Sequence, residues 1–224
     1  VLEIEKDFAG DAAEQFGSDA DPAKSFTIHA VCTFDNSTQF EGDVVLNAAN
    51  GWSEIIENLL EGTECVFTEP ALNGADAVVF APALVDPVTS DEDQKTGSIT
   101  IPVGGDDQLV SVTATNWFLT GAIEVTKTWA GEGAEKFGML PELEYEFTLV
   151  CTRDGVEVVL PGGATRIVTV DEPTAEYTGI ASGAACVLTE TASNGATSWR
   201  VLDSDGDEID GGAFEIEVDP TVLR

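Results

Sequence analysis

The sequence predicts an all-β chain organised as two tandem β-sandwich domains. Three observations carry that expectation: a long internal repeat, two-residue alternation of apolar and polar side chains, and turn residues spaced at strand-like intervals. The repeat is the strongest. Leu2-Glu3-Ile4-Glu5-Lys6-Asp7-Phe8-Ala9-Gly10 lines up with Ile123-Glu124-Val125-Thr126-Lys127-Thr128-Trp129-Ala130-Gly131, an offset of 121 residues. The same offset carries Cys65 onto Cys186 and Glu69 onto Glu190, within Cys-Val-Phe-Thr-Glu and Cys-Val-Leu-Thr-Glu. The domains are therefore expected at 1–120 and 121–224, meeting near Phe118 to Gly121.

The elements follow in order. Leu2 and Ile4 alternate with glutamates and open copy one as a strand with one buried face. Thr27-Ile28-His29-Ala30-Val31-Cys32-Thr33 resembles Glu146-Phe147-Thr148-Leu149-Val150-Cys151-Thr152, and Asp43-Val44-Val45-Leu46 resembles Glu157-Val158-Val159-Leu160. Trp52 to Leu60 has a helix-like pattern, but its counterpart, Val168 to Tyr177, begins with strand composition and holds Pro173, so a strand or short turn is expected in both. Arg166 to Val170 is β-branched, with Val168 and Val170 on one side and Ile167 and Thr169 on the other. Ile99/Ile101/Val103 and Phe214/Ile216/Val218 alternate as strands with one face in the core, and Val112-Thr113-Ala114-Thr115-Asn116 closes copy one. Asp35-Asn36-Ser37, Asn73-Gly74, Gly104-Gly105-Asp106, Asp154-Gly155, Pro161-Gly162-Gly163 and Asn194-Gly195 punctuate these runs as turns. Adding the offset to Asn116 passes Arg224, so copy two is expected to lack its last strand and to leave a sheet edge open.

Composition excludes several functions. Hydrophobic residues make up 43% of 224 positions, enough for a packed core in each domain and unlike a disordered chain. With 9 basic against 42 acidic residues the formal charge is −33, a field that repels nucleic acid and anionic lipid headgroups. No apolar run approaches the roughly 20 residues needed to span a bilayer. The chain starts at Val1 without a signal peptide and ends without a sorting signal, and so reads as an internal segment of something longer.

Four cysteines, Cys32, Cys65, Cys151 and Cys186, fall as two similar pairs, 33 and 35 residues apart. That spacing suggests a disulfide within each copy and an oxidising compartment; reduced core cysteines are the alternative. With His29 as the one histidine and no Cys-x-x-Cys pair, a zinc site is not expected. Alternation puts Lys6 on the inward face of the first strand, where a lysine must be neutralised or paired. Glu69, after a Val-Phe-Thr strand, and Asn116, in the last strand, are its candidate neighbours, because the first and last strands of such sandwiches can lie side by side.

The strand-one lysine, the mid-domain Thr-Glu and the final-strand Val-Thr-x-Thr-Asn resemble Cna-B-type domains, the immunoglobulin-like repeats of Gram-positive surface adhesins and pilins. The paired Cys-Thr and Cys-x-x-Thr-Glu motifs resemble more closely a disulfide-containing relative repeated in actinobacterial surface proteins. The resemblance implies an intramolecular isopeptide bond, with Lys6 as nucleophile, Asn116 as electrophile and Glu69 as the proton-shuttling catalyst. An ordinary buried Lys–Glu pair with Asn116 hydrogen-bonded nearby is the other reading. Copy two keeps Lys127 and Glu190 but has no matching asparagine, and Asn194 falls in a loop.

Weaker signals remain. Asp203, Asp205 and Asp207 are closely spaced carboxylates of a kind that suits calcium, but Gly206 sits at the wrong place for an EF-hand, and a solvated hairpin loop explains them as well. Copy one has a matching acidic run at Ser90-Asp91-Glu92-Asp93. Trp52, Trp117, Trp129 and Trp199 are candidates for a sugar-stacking surface; Trp129 matches Phe8 and Trp117 adjoins the junction, which favours packing for both. Asn36-Ser37-Thr38 has the spacing of a glycosylation acceptor and is discounted in a bacterial protein.

The expected function is that of stalk or spacer repeats in a secreted or wall-anchored bacterial surface adhesin or pilin. Its partners would be neighbouring repeats of the same polypeptide, with no cofactor, no nucleic acid and no membrane insertion. The alternative is an adhesin module that contacts a host protein or glycan through loops such as Thr89 to Lys95 or Trp52 to Leu60. An enzyme is not expected: there is one histidine, no repeated Ser/His/Asp arrangement and no phosphate loop.

Overall fold

The structure, a computed structural model, describes residues 1–17, 23–82, 96–104, 109–192 and 194–216. Its chain divides into two compact units, Val1–Leu119 and Thr120–Val218. The acidic run at 90–93, the 89–95 loop, Gly105, Asp106 and Val218 lie outside the described residues.

Unit 1 is a β-sandwich. Its strands are β1 (Leu2–Ala9), β2 (Ser25–Phe34), β3 (Ser37–Asn47), β4 (Ser53–Ile56), β5 (Glu64–Thr68), β6 (Ala77–Ala81), β7 (Thr96–Thr100) and β8 (Val110–Trp117), with a one-turn helix α1 (Ala13–Phe16) after β1. They form two four-stranded sheets, in the orders β4-β1-β8-β6 and β3-β2-β5-β7. Alternation explains the core. Leu2, Ile4, Val112 and Ala114 point inward from the first sheet and meet Ile28, Ala30, Leu46 and Phe67 of the second. The first and last strands are neighbours and run parallel, registered from Leu2↔Val110 to Ala9↔Trp117. Asp35 and Asn36, at φ 46° and 60°, supply the left-handed pair that a two-residue hairpin between β2 and β3 requires.

Unit 2 comprises β9 (Thr120–Thr126), β10 (Tyr145–Arg153), β11 (Val156–Glu157), β12 (Thr165–Val168), β13 (Thr174–Ala181), β14 (Ala185–Ala192), β15 (Val201–Leu202), β16 (Glu208–Ile209) and β17 (Ala213–Glu215). Registers repeat those of unit 1. Ile123 opposes Tyr177 as Leu2 opposes Ile56, and Cys186 opposes Phe214 as Cys65 opposes Ile99. The Lys127 amide donates to the Pro173 carbonyl as the Lys6 amide does to Trp52, both at 2.8 Å.

Two differences have local causes. The single long β3 of unit 1 is matched by β11 and β12, separated by Pro161-Gly162-Gly163, where both glycines have positive φ and proline offers no ladder donor. Val103, expected to share the buried face of Ile99 and Ile101, is 80% exposed. β7 ends at Thr100, and the chain turns at Gly104 before Val103 reaches the core. The Trp52 segment is the strand β4 and not a helix.

Candidate functional site

The sandwich brings Lys6, Glu69 and Asn116 together from three elements. Lys6 follows Leu2 and Ile4 on the inward face of β1, Glu69 lies directly after β5, and Asn116 ends the inward series of β8. All three are buried. The Lys6 Nζ donates to Glu69 Oε2 and to Asn116 Oδ1, each at 2.6 Å. The Asn116 Nδ2 donates to Glu69 Oε1 at 2.9 Å and to the Leu72 carbonyl at 3.3 Å. One carboxylate oxygen thus faces the amine and the other faces the amide nitrogen that would leave.

The electrostatics favour a reactive amine. Burial disfavours charge on Lys6 and lowers its pKa to about 8, against a smaller opposing pull from Glu69. The Lys6 Nζ also sits 4.8 Å from the Phe26 ring centroid. Because Oδ1 is bonded to Cγ, the amine is in contact range of the carbonyl carbon it would attack. The constellation can move a proton from Nζ to Glu69, admit attack on Cγ, and return a proton to Nδ2 as it departs.

Unit 2 holds half of this site. Lys127 Nζ lies 2.8 Å from both oxygens of Glu190, and the lysine side chain is 11% exposed. Asn194 takes no part; its amide donates to the Glu144 carbonyl.

The four cysteines form two bonds, Cys32–Cys65 and Cys151–Cys186, each joining the unit's β2- and β5-type strands at directly opposed positions. The aspartates at 203, 205 and 207 form no cation cage. Asp203 Oδ1 accepts from the backbone amides of Asp205 and Asp207 and holds the β15–β16 turn, and among the described residues no three candidate ligands gather around a point. Trp52 packs edge-on against Phe8, Trp129 packs against Tyr145, and Trp199, 42% exposed, lines one cleft with Trp129. Sequence reasoning missed Trp52, whose ring packs against Phe8 and Phe26. Its φ of 63° lets the chain turn into β4 while its carbonyl holds the Lys6 amide, and no local pattern announces a tryptophan in that conformation. Among the described residues, no helix is long and apolar enough to cross a membrane.

A family model described as "Domain of unknown function (DUF5979)" matches residues 2–118 and again 123–222. No curated protein sequence matches the chain. Among solved structures, the chain is similar to the Bacillus anthracis TIE protein (17% identity, TM-score 0.43), where 97% of this chain spans 31% of that one. The major pilin T-13 of Streptococcus pyogenes is similar over 97% of this chain and 92% of the pilin, at 12% identity and TM-score 0.44. A Mobiluncus mulieris adhesin described as containing intramolecular disulfide, isopeptide and ester cross-links is similar over 88% of this chain and 81% of its own, at 13% identity and TM-score 0.32.

Proposed function

Since the chain belongs to the family of the domain of unknown function DUF5979, we propose that residues 1–120 and 121–224 are repeats of this domain that serve as a structural spacer in a bacterial surface adhesin or pilin. The observation that carries the reading is the buried Lys6–Glu69–Asn116 cluster, whose chemistry is a single self-crosslink and not turnover. Lys6 Nζ loses a proton to Glu69 and attacks Asn116 Cγ. The Nζ–Cγ bond forms, the Cγ–Nδ2 bond breaks, and Nδ2 takes up a proton relayed by Glu69 and leaves as ammonia. The product ties β1 to β8, while the disulfide ties the opposite sheet. Covalent closure of both sheets suits a protein that works outside the cell, where no chaperone restores an unfolded domain. The large acidic excess supports the same place of work, keeping neighbouring molecules soluble and apart.

Intact mass of the full chain, before and after reduction and alkylation, tests this. The expected mass is short by one ammonia, survives reduction and returns to full value in Lys6→Ala. Full mass in the unmutated chain after refolding at alkaline pH would overturn the crosslink.

A further inference from the structure

The loop that carries Glu69 has a counterpart in unit 2, and the two share one tether. In unit 1 it runs from Glu69, directly after β5, to Asp76, directly before β6, as Glu-Pro-Ala-Leu-Asn-Gly-Ala-Asp. Unit 2 has Glu-Thr-Ala-Ser-Asn-Gly-Ala from Glu190 to Ala196. Asn73 and Asn194 both take the left-handed conformation, at φ 49° and 48°, which asparagine tolerates better than most side chains. The Asn73 Nδ2 donates at 2.7 Å to the Ser25 carbonyl, where β2 starts, and the Asn194 amide donates to the Glu144 carbonyl, just before β10. Ser25 and Glu144 are themselves matched when Thr27 is aligned with Glu146. Two different loop sequences thus keep one hydrogen bond at one place.

In unit 1 the tethered loop also touches the amide that would react. The Leu72 carbonyl accepts from Asn116 Nδ2 at 3.3 Å and from the Ala75 amide at 3.0 Å. Glu69 Oε1 also accepts from Nδ2, so both N–H groups of the carboxamide are taken. A flipped carboxamide would set Oδ1 against these two acceptors. The loop therefore selects the orientation in which Oδ1 faces Lys6 and Nδ2 faces the acid. Asp76 fixes the end of the loop to the end of β8: its amide donates to the Trp117 carbonyl at 2.8 Å, and its Oδ2 accepts from the Leu119 amide at 2.7 Å. Between Glu69 and that anchor, Asn73 ties the loop to β2.

We infer that Asn73 is a positioning residue for the crosslink: its tether holds the Leu72 carbonyl against Asn116 Nδ2, and that carbonyl keeps the leaving nitrogen turned away from the attacking amine. The role rests on the Lys6–Asn116 reaction proposed above and leaves its balance as given: Nζ–Cγ forms, Cγ–Nδ2 breaks, and ammonia leaves. A loop shift of about 1 Å would free the carboxamide to rotate and misalign Cγ.

Refolding of the full chain tests this, with the lost ammonia mapped to a Lys6–Asn116-linked peptide and the folded fraction read by near-ultraviolet circular dichroism. Asn73→Gly keeps the left-handed turn without the donor, and Asn73→Asp keeps the shape with an acceptor in the donor's place. Both are expected to slow ammonia loss per folded molecule by about ten- to a hundredfold. In Asn73→Gly the pH midpoint of the rate is expected to stay where it was, because the amine is untouched. Asn194→Gly, which removes the matching tether from unit 2, is expected to leave the rate unchanged. An unchanged rate in Asn73→Gly, or equal slowing in Asn194→Gly, would overturn the inference and leave the crosslink standing. Slowing that only follows the folded fraction, or failure of both Asn73 variants to fold, would make Asn73 a structural residue and overturn it too. An unmutated chain that refolds without the Lys6–Asn116 link would instead overturn the proposed function, and the role of Asn73 with it.

Discussion

At the residue scale the lysine pocket makes opposite demands of its members. Lys6 is held in apolar surroundings that favour the neutral amine, yet it lies 2.6 Å from Glu69. Glu69→Ala removes the one buried acid beside a buried base, and a cost of about 3–5 kcal/mol is expected, together with full retention of ammonia in the intact mass. Urea unfolding of the variant measures the first and mass spectrometry the second. The pH dependence has a definite sign. Folding lowers the Lys6 pKa from 10.5 to about 8, so below 8 the amine is protonated in both states and cannot attack. The yield of crosslink after a fixed refolding time is therefore expected to rise as pH passes through about 8 and then level off. Before the bond forms, the unfolded chain binds more protons than the folded one between about 8 and 10.5, so stability rises with pH across that window.

At the element scale, close approach of the sheets sets the tolerances. Gly97 of β7 leaves room for Phe80, since a Cβ there would lie 2.5 Å from the Phe80 Cβ. Gly97→Ala is expected to destabilise unit 1 by about 1–3 kcal/mol through overpacking, read as a shift of the denaturant midpoint at constant m-value. Replacing Cys151 and Cys186 by alanine releases a 35-residue loop and is expected to cost unit 2 about 3–4 kcal/mol, measured in the same way. Much of this level was legible in the sequence. The offset of 121 residues aligned β1 with β9, alternation placed Lys6 inward, and the repeated spacing paired the cysteines within each copy, because strand periodicity is local and repeats cannot hide. What escaped depends on where strands stop. Val103 continues the alternating pattern, but a turn at Gly104 carries it into solvent. The break between β11 and β12 was visible as Pro161-Gly162-Gly163, yet nothing local said that both pieces would pair with β10.

At the scale of the whole molecule the two units are unequal. Unit 1 packs two four-stranded sheets around one core, while in unit 2 β9 pairs only with β13 among the described residues. Calorimetry is expected to resolve two transitions, the lower belonging to unit 2. Because the chain carries a formal charge of −33, both midpoints are expected to rise with added salt as self-repulsion is screened. The parallel pairing of β1 with β8 has a mechanical consequence. A pull applied at Val1 and Leu119 loads these adjacent strands in shear, along their length. Once Lys6 is joined to Asn116, the load passes from one strand to the other through a single covalent link. The 110-residue separation between the joined residues is then bypassed, so that stretch neither extends nor bears force, and the domain transmits tension without unravelling.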